Sequence, residues 1–136
     1  MTEFTFEERL PSVDDFNRLL DSVGWRKLDS YIVQKVLNYS LYSLCLIHET
    51  RVIGICRLVG DGAMKIYVEE LIIDPKYQRQ GLGKLLMNRV MEYVSRTYTK
   101  GCSIGLFANT GLEKFYNSWG FTKRADDKPG MKLTIS

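Results

Sequence analysis

One stretch of the chain constrains its fold more than any other: an apolar run leads through a turn with two glycines directly into an amphipathic helix. The stretch extends from Leu71 to Lys84 and contains Gly81 and Gly83. Glycine lets the backbone approach a ligand closely, and the first N–H groups of a helix have no partner within that helix. Such a turn is typical of a phosphate or pyrophosphate site, and Arg79 and Lys84 add positive charge. We therefore expect a phosphorylated cofactor.

The spacing of the glycines distinguishes this turn from two common phosphate-binding motifs. A P-loop requires Gly-x-x-x-x-Gly-Lys-Ser/Thr and a dinucleotide fold requires Gly-x-Gly-x-x-Gly, and neither pattern occurs here. The string Gln78-x-x-Gly81-x-Gly83, preceded by Ile73-x-Pro75, instead resembles the acetyl-coenzyme A motif of the GNAT family, the GCN5-related N-acetyltransferases. Downstream, Phe115-Tyr116-x-x-x-Gly120-Phe121 resembles the second conserved region of that family. The resemblance covers nearly the whole chain.

The resemblance implies acetyl-CoA as acetyl donor and coenzyme A as product. Unpaired backbone groups of the strand before the turn would bind the pantetheine arm, and one N–H could polarise the thioester carbonyl. Asn109 matches a position that touches the cofactor arm in the family, although helix initiation before Thr110 explains it equally well. The predicted cofactor-binding residues are Leu71, Ile72, Ile73, Gln78, Arg79, Gln80, Gly81, Leu82, Gly83, Lys84 and Asn109.

The chemistry of amine acetylation calls for a general base. An alkylamine with a pKa near 10.4 is mostly protonated at neutral pH, yet only the neutral amine attacks a thioester. Similar enzymes place a carboxylate on the strand before the cofactor turn, which here carries Glu69 and Glu70. Successive strand residues face opposite sides, so only one should reach the cleft unless a bulge intervenes. We favour Glu70, which directly precedes Leu71–Ile73, while Glu69 and a pair of plain surface charges remain open.

Tyr116 resembles the family's general acid, which would protonate the departing thiolate. Its alternative role is that of a core aromatic beside Phe115. Adjacent helix residues do not share a face, and Phe115 is the more apolar of the two. Tyr116 is therefore expected to face the cleft.

The acceptor should meet the open end of the cleft, where Trp25, Tyr31, Arg57 and Tyr67 are candidates for contacting it. Gly24-Trp25, Arg57 to Gly62 and the glycine turn together resemble a subgroup that includes plant plastid arylalkylamine and lysine acetyltransferases. This resemblance implies a primary amine or lysine acceptor. It leaves open arylalkylamines, polyamines, aminoglycosides and protein lysines.

Hydrophobic periodicity predicts a single domain over residues 1–136 with an α+β fold. Strands are expected at 4–9, 41–48, 52–59, 65–73 and 103–108, with a last strand pair ending at 131–135. Helices are expected from a Ser12 cap to a stop at Gly24, from near Asp29 or Ser30, from Leu82 to Tyr98 and after a Thr110 cap. The family order β-α-α-β-β-β-α-β-α-β matches this pattern. It implies a central mixed, mostly antiparallel β-sheet flanked by helices.

The composition of the chain argues against several other functions. The net charge of +3 comes from scattered basic residues, which gives no support to nucleic-acid binding. No apolar run approaches the roughly 18 residues of a membrane span, and the acidic N-terminus lacks a signal-peptide pattern, so we expect a cytoplasmic protein without a membrane partner. C-terminal strands could pair across subunits, so a homodimer is compatible with the sequence.

The cysteine and histidine content argues against metal binding and cysteine catalysis. Cys45, Cys56 and Cys102 have no Cys-x-x-Cys spacing and read as buried free thiols, and His48 is the single histidine. We therefore expect no metal site. The leading hypothesis is an N-acetyltransferase that joins acetyl-CoA and an amine in a ternary complex. The alternative is a non-catalytic acetyl-CoA sensor or partner-binding module, against which the presence of Glu69, Glu70 and Tyr116 argues.

Overall fold

Strands and helices alternate along the chain much as the periodicity predicts. The computed structural model describes residues 3–136. In chain order the elements are β1 (Thr5–Glu7), α1 (Val13–Ser22), α2 (Ser30–Asn38), β2 (Tyr42–His48), β3 (Arg51–Gly60), β4 (Lys65–Ile73), a short 3-10 helix (Pro75–Tyr77), α3 (Leu82–Thr97), β5 (Ser103–Gly105) and α4 (Glu113–Asn117).

The strands form one mixed sheet in the order β1-β2-β3-β4-β5. The first three neighbouring pairs are antiparallel, and β4 pairs with β5 in parallel. Parallel neighbours require a long crossover connection, which α3 supplies between β4 and β5. The predicted α+β fold with a mostly antiparallel sheet is therefore confirmed.

Local sequence signals explain the bounds of α1. The Ser12 hydroxyl accepts a hydrogen bond from the Asp15 N–H at 3.0 Å, which is the predicted N-cap. At the other end Gly24 has a φ of 80°, and its N–H donates to the Asp21 carbonyl at 3.0 Å while Trp25 N–H donates to Leu20 at 2.9 Å. This pair of bonds is a Schellman motif, which ends the helix as predicted from Gly24.

The core lies against both sides of the central strands. Helices α1 and α2 pack on the sheet through a cluster whose members are Phe16, Leu19, Leu20, Val33, Leu37, Cys45, Ile47, Val52, Ile55 and Ile72. Helix α3 packs on β2, β3 and β4, with Leu86, Met87 and Val90 fully buried. Cys45 and Cys56 are buried free thiols as predicted, whereas Cys102 is only partly buried because it lies in the turn before β5. Among the described residues, none of the helices combines the length and apolarity needed to cross a bilayer.

The chain divides into two compact units, the first ending at Leu106 and the second comprising Phe107–Ser136. Within the second unit, aromatic rings provide the packing. The ring of Phe115 lies 5.0 Å from that of Tyr116 and 4.8 Å from that of Trp119, both edge to face. The Tyr116 ring also lies 6.1 Å from that of Phe121. Phe115 and Tyr116 are both half-buried within this unit.

The structure corrects two predicted details in this second unit. Residues 121–136 contain no strand, and Met131, Leu133 and Ile135 are 89%, 92% and 94% exposed. Alternating apolar side chains favour a strand, but a strand persists only beside a partner that completes its hydrogen bonds, and this segment has none in residues 3–136. The observed order therefore ends at the last helix, β-α-α-β-β-β-α-β-α.

The second correction concerns the start of α4. The predicted Thr110 cap does not form, because the helix begins at Glu113 with Leu112 as its N-cap residue. The Glu113 carboxylate instead accepts the Gly111 N–H at 3.2 Å. An acidic side chain in the first turn thus satisfies a backbone donor just before the helix.

Gly60 closes the turn between β3 and β4 in a conformation that no other residue suits. Its φ is 139°, and a Cβ atom at this position would lie 2.1 Å from the Lys65 carbonyl oxygen. The following Asp61 carboxylate accepts N–H groups of Ala63, Met64 and Lys65 at 2.8, 2.7 and 3.0 Å. These three bonds lower the pKa of Asp61 and hold the turn that starts β4.

We expect Gly60→Ala to lower the free energy of unfolding by about 3 kcal/mol or more, since backbone strain adds to a collision with main-chain atoms. Gly101→Ala is the matched control, because Gly101 also has a positive φ but open space around its Cβ position. The control should lose only about 1 to 2 kcal/mol. Urea unfolding followed by circular dichroism measures both, and equal losses would contradict the collision.

Candidate active site

Strand β4 carries a β-bulge at its two adjacent glutamates. In the pairing with β3, Arg57 lies opposite Glu69 and Ile55 lies opposite Ile72, with a shift of register between them. Strand β4 thus has two residues where β3 has one. Glu70 is one of the two, and its φ of 46° is a left-handed conformation that is uncommon outside glycine. The bulge is the exception under which two adjacent glutamates can face the same side.

Both glutamates do face the same side of the sheet. Directly opposite residues of an antiparallel pair point to one face, which places Glu69 beside Arg57. The Glu70 carboxylate also reaches the Arg57 guanidinium. Ile72, three positions after Glu69, packs in the cluster formed with α1 and α2. The two carboxylates therefore lie on the face of the sheet that these helices cover.

Arg57 and Glu70 form a two-bond ion pair that is largely shielded from solvent. Arg57 Nε donates to Glu70 Oε2, and Arg57 Nη2 donates to Glu70 Oε1 at 3.4 Å. The two side chains are only 13% and 17% exposed. Arg57 Nη1 also donates to the Ser40 hydroxyl at 3.3 Å, just after the end of α2. Paired bonds of this kind fix the orientation of both groups.

Glu69 differs from its neighbour in that its carboxylate makes no hydrogen bond or ion pair with the described residues. Partial burial raises the pKa of Glu69 above its usual range, and the negative charge of Glu70 raises it further, whereas Arg57 opposes the rise. A carboxylate with a raised pKa is a better proton acceptor than an ordinary one. The site therefore contains one fixed carboxylate and one that is free to exchange a proton.

The second half of β4 has an open edge. Strand β5 pairs with β4 only from Lys65 to Tyr67, while β3 pairs with the opposite edge as far as Ile73. Residues 71–73 therefore lack a strand neighbour on one side within the described part of the chain. Backbone groups along such an edge can bind an extended ligand as an added strand would. The resemblance implies unpaired backbone groups on this same strand.

Side chains hold the link between β4 and the glycine turn. Asp74 is only 6% exposed, its carboxylate accepts the Lys76 N–H at 3.0 Å, and its own N–H donates to the Ile53 carbonyl at 2.8 Å. The Gln78 amide donates to the Ile73 carbonyl at 2.8 Å. Gln78 therefore supports the turn through its side chain.

The glycine turn leaves backbone donors free at the start of α3. Arg79 and Gly81 have φ values of 66° and 80°, and the first bond of the helix runs from Leu85 N–H to the Gly81 carbonyl at 3.2 Å. The N–H groups of residues 82–84 thus have no partner within the helix. Arg79, Gln80 and Lys84 are exposed around this end. Backbone donors of this kind, with basic side chains beside them, can bind an anion.

A hydrogen bond between Tyr77 and His48 ties the same turn to the β2–β3 hairpin. The Tyr77 hydroxyl lies 2.8 Å from His48 Nδ1, and the ring of Phe4 packs against both rings, with centroids 5.3 and 6.2 Å away. No local sequence pattern joins positions so far apart in the chain, so this contact and that of Ser40 with Arg57 were not predicted. The Asp74-Pro75 step is the one signal that could have revealed the role of Asp74.

The remaining predicted residues do not all join this group. Tyr67 lies two positions before Glu69 on the same strand, and its ring would meet a Cβ at Gly105 at 3.0 Å. The exposed side chains of Trp25 and Tyr31 lie after α1 and in the first turn of α2. No hydrogen bond, ion pair or ring contact within residues 3–136 links them to Arg57. Tyr116 and Asn109 belong to the second unit, where Asn109 is exposed.

Comparison with known proteins identifies the family. A profile of the acetyltransferase (GNAT) domain matches residues 19–132. An uncharacterized N-acetyltransferase of Porphyra purpurea is 31% identical over 121 residues, which cover 86% of this chain and 68% of that protein. The GCN5-related N-acetyltransferase 1, chloroplastic, of Arabidopsis thaliana is 28% identical over 123 residues, covering 88% of this chain and 61% of that one.

A solved structure gives the same answer. A protein from meticillin-resistant Staphylococcus aureus, described as a probable acetyltransferase, superposes with a TM-score of 0.87 and 25% identity, covering 99% of this chain and 100% of that chain. The chain belongs to the GNAT family of acetyltransferases. It is an N-acetyltransferase, and enzymes of this family use acetyl-CoA as co-substrate.

Separate removal of the two carboxylates should change stability in opposite directions. The raised pKa of Glu69 means that the folded state binds its proton more tightly than the unfolded state, so stability falls as pH rises through that pKa. Glu69→Gln should therefore match or exceed the wild type at pH 7 and lose any advantage near pH 4. Glu70→Gln leaves the shielded Arg57 cation without its partner and should cost about 1 to 2 kcal/mol at pH 7.

Denaturant unfolding of the two variants at both pH values measures this contrast. Equal destabilisation by Glu69→Gln and Glu70→Gln at pH 7 would show that the two carboxylates have equivalent surroundings, contrary to the described geometry.

Proposed function

We propose that this enzyme transfers an acetyl group from acetyl-CoA to a primary amine in a ternary complex. The main support for this proposal is that one strand carries the candidate base and leads into the candidate cofactor site. Strand β4 holds two carboxylates on one face at its bulge, and it leads a few residues later into a turn with free backbone donors. A base and a cofactor site on one rigid element favour transfer by positioning and proton removal.

The cofactor site comprises the open edge of residues 71–73 and the turn from Gln78 to Lys84. The pyrophosphate of acetyl-CoA accepts the N–H groups at the start of α3, where the helix dipole favours negative charge. Arg79 and Lys84 supply further charge near the same end. The pantetheine arm lies along the open edge of β4, and a backbone N–H polarises the thioester carbonyl. Asn109 remains a candidate for contacting the arm.

Proton transfer involves a β4 carboxylate and Tyr116. Glu69 or Glu70 accepts a proton from the acceptor amine, directly or through water, so that the neutral amine attacks the thioester carbonyl. Tyr116 donates a proton to the thiolate of coenzyme A as it leaves. No covalent enzyme intermediate is required, because the amine attacks the acetyl group directly.

The acceptor is a primary amine, either a small molecule or a protein lysine, and Tyr67, Trp25 and Tyr31 are candidates for contacting it. The carboxylates of the bulge favour a cationic acceptor. The cytoplasm is the predicted compartment, although the Arabidopsis relative is named as chloroplastic. The test of the function is thiol release from acetyl-CoA in the presence of arylalkylamines, polyamines, aminoglycosides and lysine peptides. Amine-dependent release supports transfer, while binding without release on every acceptor favours an acetyl-CoA sensor.

Gly83→Asp should weaken cofactor binding without loss of stability. Gly83 is the second residue of α3, where an aspartate favours the helix through its dipole but repels a pyrophosphate. Calorimetric titration should show at least a tenfold loss of affinity for acetyl-CoA, about 1.4 kcal/mol. Thr99→Asp introduces the same charge just past the other end of α3 and is the matched control. Unchanged affinity in Gly83→Asp would place the pyrophosphate elsewhere.

Replacement of Tyr116 by Phe should lower kcat by about 100-fold or more while leaving acetyl-CoA affinity within about twofold, since only the proton donor is removed. The Phe115→Leu variant alters the neighbouring ring of the same unit and serves as the control for packing. Stopped-flow thiol detection measures kcat, and a wild-type rate in Tyr116→Phe would remove this residue from the mechanism.

A further inference from the structure

We propose that Arg57 is a positioning residue that gives the two adjacent carboxylates different roles: it holds Glu70 as a fixed partner and leaves Glu69 to accept the proton of the acceptor amine. The inference rests on the proposed acetyl transfer and assigns its base. The sequence favoured Glu70 for this role because of its place before residues 71–73. The contacts of the two side chains favour Glu69.

The Glu70 carboxylate is already bound to Arg57. It takes both bonds of the Arg57 fork, and the pair is less than one-fifth exposed. These charge-assisted bonds hold the Glu70 carboxylate against the guanidinium in one orientation. To act as a base it would have to exchange the guanidinium for a proton. Glu70 is thus poorly suited to shuttle protons.

Arg57 is itself held by a contact outside β4. Its third contact is the Ser40 hydroxyl at 3.3 Å, which follows α2. Ser43 of β2 lies directly opposite Arg57 on the same face of the sheet. Arg57 therefore connects the end of α2 to the bulge of β4, and its orientation does not depend on Glu70 alone.

The titratable and charged groups around Glu69 lie on two strands. These groups are Tyr67 and Glu70 on β4 and Arg57 and the buried Cys56 thiol on β3. Helices α1 and α2 contribute the apolar Phe16 and Leu37 to the recess that holds Glu70. Burial raises the pKa of Glu69 most, the negative charge of Glu70 raises it further, and Arg57 opposes the rise. The Arg57 cation therefore limits the effect of Glu70 on Glu69.

The charges give a signed prediction for three variants. Arg57→Gln leaves Glu70 uncompensated beside Glu69, so the pKa of Glu69 should rise by about one unit. Glu70→Gln leaves Arg57 uncompensated, so the pKa of Glu69 should fall. The double variant removes both charges and should return the pKa of Glu69 close to the wild-type value. Arg57→Lys, which keeps the charge, should also stay close to the wild type.

The experiment is a carboxyl-carbon NMR titration of the full, isotopically labelled chain, with the Glu69 carboxyl signal assigned by correlation with the backbone resonances of the same residue. Arg96→Gln is the control, since Arg96 is an exposed arginine paired with Glu8, away from the bulge. It should leave the Glu69 titration unchanged. The wild-type titration needs no substitution near the bulge, so the raised pKa of Glu69 can be checked even if a variant fails to fold.

Turnover completes the test. With the acceptor that the wild type acetylates, Glu69→Gln should lower kcat by about 100-fold or more relative to the wild type. Glu70→Gln should lower kcat by less than about tenfold. The reverse order, or a Glu69 titration that Arg57→Gln does not move, would overturn the division of roles while leaving acetyl transfer intact. Absence of thiol release from the wild type with every acceptor would instead overturn the proposed function, whatever the titrations show.

Discussion

The ion pair between Arg57 and Glu70 stabilises the bulge of the strand on which the site depends. Glu70 occupies a left-handed backbone position, which costs about 1 kcal/mol or more and persists only where the surroundings favour it. Two bonds from Arg57, itself bound to Ser40, supply that support. The bulge turns Glu69 and Glu70 to one face and shifts the register of the pairing with β3 between residues 55 and 57. The ion pair between Arg57 and Glu70 thus supports both the bulge and the placement of the two carboxylates.

The same strand also connects the carboxylates to the cofactor turn. From the bulge, β4 continues through three residues with an open edge to Asp74, whose carboxylate and N–H are both bonded. Gln78 and the Tyr77–His48 contact then fix the approach to Gly81. Because each of these contacts joins the turn to a different part of the sheet, the free N–H groups of α3 keep a constant position relative to Glu69. Such fixed geometry is what transfer between two bound substrates requires.

Much of this architecture was predictable because its signals are local. The Ser12 cap, the Gly24 stop and the glycine turn before Leu82 are each set by a few neighbouring residues, and the structure has all three. The bulge at Glu70 was anticipated only as an exception, since it arises from Arg57 on another strand. Ser40, and the pairing of Tyr77 with His48, depend on contacts distant in sequence. The prediction of a last strand was wrong, because the alternation of apolar and polar residues at 131–135 does not show whether a partner strand is present.

We propose that the backbone at the start of α3 binds the pyrophosphate of acetyl-CoA. Amide chemical shifts recorded by nitrogen–proton NMR during titration with coenzyme A report on these N–H groups themselves. The largest shifts should fall on residues 80–84 and on the open edge at 71–73, with little change at Gly101 or along β1. Saturable binding whose largest shifts lie outside both segments would show that the pyrophosphate binds elsewhere.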